Sequence, residues 1–214
     1  MFRAQFEMVG EGVTPHGDDG AMFFAPRCPG CGVVGPAPCG ACVAEMAPAG
    51  PVPLPPSLDG CVALLDYAGP AREVVAQLKY RNARAPAAWL ADGLAEIVRS
   101  TPPVDLVTWA PTTDARRRQR GFDHAELLAR GTARRCRLPV RSLLQRTAGP
   151  AQTGRTLVER RVGPAFTATD PRRGLRVVVI DDVTTTGATF DAAGRALRSA
   201  GAAFIWGVAA AHPR

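Results

Sequence analysis

Two adjacent carboxylates followed at once by a run of hydroxyls and a glycine form the most chemically loaded stretch of this chain. In LRVVVIDDVTTTGATF, residues 175–190, Asp181 and Asp182 come directly after Val177, Val178, Val179 and Ile180. Thr185, Thr186, Gly187, Ala188 and Thr189 follow almost immediately. Four successive β-branched residues predict a strand buried on both faces. The apolar spacing after Thr189 suits a helix. A tight polar turn between a strand and a helix N-terminus gathers unpaired backbone N–H groups, and the helix dipole adds to its preference for an anion. Paired carboxylates beside such a cradle suit the vicinal hydroxyls of a ribose, directly or through Mg²⁺. The passage reads as a ribose-phosphate site. A plain strand–turn–helix junction with an N-capping Thr is the alternative, but capping requires no pair of acids at a strand end.

A second constellation lies near the other end. Cys28 and Cys31 form one C-x2-C pair, and Cys39 and Cys42 form another. Zinc takes four thiolates tetrahedrally, and each C-x2-C turn delivers two sulfurs to one metal. With all four positions filled by Cys, the expected ion is structural and has no open position for catalysis. Disulfides are the alternative, disfavoured in a reducing cytosol. Cys61 and Cys136, solitary and flanked by apolar residues, read as core residues.

The elements that must position these groups follow from periodicity and punctuation. Residues 1–20 are rich in glycine and acid and read as a loose tail; 21–46 hold the cysteine module. Residues 47–57, APAGPVPLPPS, read as a Pro-rich linker, semi-extended and poor at packing. From 58 to 214, strand-like and helix-like patterns alternate. Strands are expected at 61–67, 105–110, 140–144, 175–180 and 204–210. Helices are expected at 70–80, at 86–100, from an Asp123 cap to about 136, and at 190–200 before Gly201. Residues 112–122 read as a basic loop, 146–154 as a polar loop able to close over a ligand, and 156–161 as a short helix. The fold class is therefore α/β, a parallel sheet flanked by helices, and ligands in such sheets bind beyond the carboxyl ends of the strands.

Charge is unevenly spread. The chain of 214 residues carries a net +7. Residues 1–60 hold 2 Arg and 6 acids, a net of −4, which leaves +11 for residues 61–214. Any polyanion partner belongs on the second part. Lys79 is the single lysine beside 25 arginines. No signal-peptide pattern and no apolar stretch long enough to span a bilayer is visible, so a soluble cytoplasmic protein is expected.

The motifs also carry a family resemblance. DDVTTTGAT after its β-branched strand resembles the PRPP-binding motif of type I phosphoribosyltransferases. The N-terminal tetracysteine knuckle, LKYRNAR around Lys79, RQRGFDHAELLAR around Gly121 and RTAGPAQTGRTLVERR from Arg146 are similar to the ComF-like branch linked to DNA uptake in natural competence. The resemblance covers about residues 22–212. It implies a type I phosphoribosyltransferase (Rossmann-like) core behind a zinc module, and a role in handling incoming single-stranded DNA. It implies that Asp181 and Asp182 hold the ribose 2′- and 3′-hydroxyls of PRPP and assist Mg²⁺. By the same resemblance Thr185–Thr189 wrap the 5′-phosphate, and the stretch through Trp109, Ala110 and Pro111 becomes the pyrophosphate loop. Arg118 and Arg120 are implied to neutralise the pyrophosphate, and Lys79 to contact an anion. Two departures stand out: the family usually shows RGFN where this chain has Arg120-Gly121-Phe122-Asp123, and Val-Pro-Val-Pro where it has Thr108-Trp109-Ala110-Pro111.

Three functions stay open on these grounds. The leading one is a PRPP-binding ComF-like protein of DNA uptake with phosphoribosyltransferase chemistry on an unknown acceptor, held at the inner face of the membrane by partner proteins of the uptake machinery. The second is a nucleobase phosphoribosyltransferase of salvage metabolism. The third is a zinc-containing single-stranded DNA-binding module with a vestigial PRPP site. Arginines crowd 116–120, 134–141 and 172–176; the first group, near a strand end, reads as anion-binding and the other two as solvated surface. His124 reads as a surface or capping residue, and His16 and His212 carry no signal.

Overall fold

In the computed structural model, which describes residues 26–78, 84–147, 164–169 and 173–214, the elements follow in this order: α1 (Gly40–Glu45), β1 (Gly60–Asp66), α2 (Gly69–Gln77), α3 (Arg84–Ser100), β2 (Leu106–Trp109), α4 (Asp114–Arg120), α5 (His124–Cys136), β3 (Leu144–Arg146), β4 (Phe166–Ala168), β5 (Arg176–Val183), α6 (Ala188–Ser199) and β6 (Phe204–His212). β1, β6, β5 and β2 hydrogen-bond side by side in that order, and every pairing is parallel.

Alternation along β5 divides the core. Val177, Val178, Val179 and Ile180 are all fully buried. Val178 and Ile180 pack among Leu90 and Leu94 of α3 and Leu128 of α5. Val177 and Val179 face the other way, against Phe190 and Leu197 of α6. A strand enclosed on both sides has no polar face to offer, so its β-branched run is what this place in the sheet demands. The α/β class expected from the sequence is the observed one, with a four-cysteine cluster ahead of it.

Parallel register brings all strand C-termini to one edge. Trp109 pairs with Ile180, and Ala110 N–H donates to the Ile180 carbonyl at 3.0 Å. The chain leaving β2 therefore starts beside the acids that end β5. Asp181 and Asp182 are themselves the last ladder residues but one, since Val183 still pairs with Ala211 of β6.

Several elements differ from expectation. The basic stretch 112–122 is not a loop but contains α4, because Thr113 caps it, with Oγ1 accepting from Arg116 N–H at 3.3 Å, and Gly121 ends it at φ 83°. Residues 140–144 make only a bridge between Val140 and Val107. The strand there is β3, which pairs antiparallel with β4. α6 begins two residues before its expected start. The loose tail at 1–20, the short helix at 156–161, Lys79 and most of the 146–154 loop lie outside the described residues.

The Pro-rich stretch 47–57 packs closely, contrary to its composition. Asp66 N–H donates to the Ala47 carbonyl at 2.9 Å and Ala49 N–H to that of Leu64 at 3.2 Å, so the segment straps the free edge of β1. Edge positions tolerate the missing N–H of proline. Ser57 Oγ then donates to the Asp191 carbonyl on α6 at 2.9 Å. Cys28, Cys42 and Met46 join the core beneath α2 and α3. Among the described residues no helix is long and apolar enough to cross a membrane.

Gly60 meets the Trp206 ring so closely that an added Cβ would lie 2.2 Å from it. Gly60→Ala should lower stability by about 1–3 kcal/mol, the usual cost of overpacking. An unchanged urea midpoint would contradict this packing.

Candidate functional site

Asp181 is 8% exposed, whereas Asp182 is half-buried. Each carboxylate accepts from the next backbone N–H: Asp182 N–H donates to Asp181 Oδ1 and Val183 N–H to Asp182 Oδ1, both at 2.8 Å. Burial, and then the charge of Asp182, push the Asp181 carboxyl well above the ordinary range. Asp182 is held below that range although burial works against its charge, because His124 and Asp181 hydrogen-bond to it and Val183 N–H adds a third contact. The two shifts run in opposite directions, Asp181 up and Asp182 down, so the pair is electrostatically linked.

A polar cleft of about 240 Å³ opens beside them, between the ends of β2 and β5 and the start of α5. Asp181, Asp182, Val183 and Thr189 line it together with Ala110, Pro111, Thr112, Arg116, Arg120, His124 and Arg146. Thr185 and Thr186 are exposed ahead of α6, and Ala188 N–H donates to Thr186 Oγ1 at 3.4 Å. Gly187 is buried at φ 75°, a conformation that side chains strain to adopt. The turn is anchored at its start by β6, where Thr184 N–H donates to the Ala211 carbonyl at 3.0 Å and His212 Nδ1 lies 2.9 Å from the Thr184 carbonyl. His212, silent in the sequence, is thus a buried clamp on this turn.

The helical form of α4 sorts its arginines. Residues four apart share a face, so Arg116 and Arg120 both reach the cleft. Arg118, half a turn away, is exposed and does not line it. Of the expected pair Arg118 and Arg120, Arg120 lines the cleft, and Arg116 lines it as well. Trp109 is buried behind the site, under the guanidinium of Arg130 at 5.7 Å, while Ala110 and Pro111 reach the cleft wall.

Asp123 ties this wall together. Its Oδ2 accepts from Thr112 N–H at 2.8 Å, and its Oδ1 accepts from Ala125 N–H at 3.0 Å and Glu126 N–H at 3.4 Å. Burial raises its pKa. One side chain thus caps α5 and fixes the loop leaving β2. An acid serves here where the family usually has Asn, because both oxygens accept.

His124 departs furthest from expectation. It is 5% exposed, and its Nδ1 lies 3.6 Å from Asp182 Oδ2 and 3.3 Å from Arg120 Nη1. Among the described residues its buried Nε2 has no hydrogen-bond partner. The available signal was its place directly after the cap, which holds it at the helix end facing the strand C-termini.

The four cysteine sulfurs lie within 4.8 Å of one another. Cys31 and Cys39 Sγ are 3.6 Å apart, and Cys39 N–H donates to Cys28 Sγ at 3.4 Å. Although burial opposes a thiolate, the N–H groups of Cys39, Cys31 and Gly30 bring the Cys28 thiol down to about 6. Four thiolates at about 2.3 Å from a tetrahedral ion sit roughly 3.8 Å apart. The cluster therefore fits a structural metal.

Comparison with known proteins places these features beside relatives. The chain is 32% identical over 193 residues to the DNA utilization protein YhgH of Salmonella typhi, covering 83% of this chain and 80% of that one. It is 28% identical over 193 residues to the protein of the same name from Escherichia coli K12, with the same coverage. No family model matches the chain. Among solved structures, the glutamine phosphoribosylpyrophosphate amidotransferase of B. subtilis aligns over 64% of this chain and 30% of its own, at 18% identity and a TM-score of 0.44, too slight a likeness to carry anything across.

The acid pair sets a stability test. A raised Asp181 pKa means that the folded chain binds this proton more tightly than the unfolded chain does. Stability therefore falls as pH rises from the ordinary Asp value through the folded one. Asp181→Asn removes that loss. Its melting temperature should exceed that of the parent at pH 7, by about 2–4 °C for each kcal/mol recovered. The gain should shrink below pH 4. A variant that melts lower than the parent at pH 7 would contradict the assignment.

Proposed function

The chain belongs to the ComF/YhgH-like family of DNA utilization proteins, and from that premise we propose that its cleft binds PRPP with Mg²⁺ in the service of DNA uptake. One observation carries the reading: the twin acids, Thr189, Arg116 and Arg120 all line a single polar cleft. A ribose between them meets carboxylates at its vicinal hydroxyls. A diphosphate on C1 meets the guanidiniums, and a 5′-phosphate meets the N–H groups and hydroxyls of Thr185–Thr189 at the head of α6. Adjacent carboxylates whose second oxygens are not taken by backbone N–H groups suit a cation, so Asp181 and Asp182 are the residues that would hold Mg²⁺. Bound there, Mg²⁺ would offset the charge of the diphosphate.

The reaction that such a site supports is displacement of diphosphate from C1 by a nitrogen nucleophile, through a transition state with oxocarbenium character. Positive charge grows on the sugar and negative charge on the leaving group. Asp182, kept ionised, faces the first, and Arg116 and Arg120 face the second. Little proton transfer is required. The acceptor is a nitrogen base or amine brought to the open side of the cleft. Cys28, Cys31, Cys39 and Cys42 would hold a structural zinc, which would secure the module that packs beneath α2. Single-stranded DNA and uptake proteins are the partners, met in the cytoplasm at the inner face of the membrane.

Calorimetry tests the ligand. Asp181→Asn combined with Asp182→Asn should weaken Mg²⁺-PRPP binding at least tenfold, about 1.4 kcal/mol, with an unchanged far-ultraviolet spectrum. Equal affinity would remove PRPP from this cleft. The metal is tested by chelation: stripping it should lower the melting temperature and release one zinc per chain. A melt indifferent to the chelator would refute a folding role for the cluster.

A further inference from the structure

The formal charges that line the cleft cancel. Arg116, Arg120 and Arg146 stand against Asp123, Asp181 and Asp182, three guanidiniums against three carboxyl groups. A ligand bearing several phosphate charges therefore gains little long-range attraction from the lining itself. Two further cations sit just outside it, on α4. Successive helix residues turn by about 100°, so with Arg116 and Arg120 toward the cleft, Arg117 lies on the flank of the helix and Arg118 on its far side. Both are exposed, and neither lines the cleft. Among the described residues neither has an acidic partner, whereas Arg130, Arg195 and Arg198 are each paired with a carboxylate. α4 buries none of its seven residues, so packing gives no reason for this composition. Like charges three and four apart even cost a helix stability.

We propose that Arg117 and Arg118 steer a multiply charged phosphate ligand into the cleft, raising its rate of capture without touching it once bound. The inference rests on the ligand assignment above and adds the route by which that ligand arrives. A seven-residue helix is only about 10 Å long, close to the screening length of about 8 Å at physiological salt. Charges on its outer faces are thus felt at the mouth of the cleft. Their pull is strongest on the most charged end of the ligand, the diphosphate, which reaches α4 first and is received there by Arg116 and Arg120. A charge that acts only on approach alters the association rate and its salt dependence, whereas a charge that contacts the bound ligand alters dissociation.

Phosphorus NMR line shapes of Mg²⁺-PRPP, combined with a calorimetric Kd, give both rates. In the parent chain association should slow steeply as salt rises from about 20 to about 500 mM. Arg117→Gln combined with Arg118→Gln keeps residues of similar helix propensity and should slow association about fivefold or more at low salt. Dissociation should stay as in the parent, and the difference should vanish at high salt. Arg117→Lys combined with Arg118→Lys retains the charge and should retain the parent rate. Ribose 5-phosphate, which carries fewer charges, should lose less than PRPP does in the Gln variant. Equal association rates in parent and Gln variant would make this face an ordinary solvated surface and overturn the proposal. Faster dissociation with unchanged association, or a loss that persists at high salt, would make the two arginines direct contacts and overturn it as well. If Mg²⁺-PRPP fails to bind the parent chain, the ligand assignment itself falls, and this inference with it.

Discussion

Two like charges at the end of a wholly apolar strand are the constraint around which this molecule is organised. β5 is enclosed on both faces for four residues, and its next two side chains are carboxylates, one of them almost entirely out of water. Neither would stay ionised in such a place without compensation. The chain compensates in three ways. Backbone N–H groups bond to each acid, burial shifts the Asp181 carboxyl toward its neutral form, and His124 approaches Asp182 from α5. A site of this kind is suited to a polar ligand rather than to an apolar one.

The facing wall is assembled from a single short passage, residues 110–126. β2 ends beside Ile180, Thr113 starts α4, Gly121 ends it, and Asp123 starts α5 while holding Thr112 N–H. Each of these local devices contributes on the order of 1 kcal/mol. Together they convert what would be a floppy run of arginines into a helix with one face aimed at the acids. The strap at 47–57 does similar work on the other side, crossing from the edge of β1 to the head of α6, where Pro55 covers Gly187. The cysteine module and the cleft are thus joined by an ordered path.

Much of this was legible in the residues themselves. Four β-branched residues before two acids name a buried strand that ends in a carboxylate pair, and the C-x2-C pairs name a cluster of sulfurs that the backbone then assembles. What escaped was governed by three-dimensional context. The basic composition of 112–122 masked its capping signals, and only helical phase separates Arg116 and Arg120 from Arg118. β3 and β4, three residues each, are too short to show a period. Prolines at 47–57 suggested a loose tether because sequence does not reveal that a sheet edge lies alongside. His124 looked peripheral because burial at a helix start depends on what packs against that end.

A crystal structure of the chain soaked with Mg²⁺ and PRPP tests the central claim most directly. The account predicts the ribose 2′- and 3′-oxygens within about 3.2 Å of Asp181 and Asp182, directly or through one metal ligand, with the 5′-phosphate on the backbone of the 185–189 turn and the diphosphate against Arg116 and Arg120. Electron density for the sugar anywhere else, or for a phosphate occupying the space between the two acids, would contradict it.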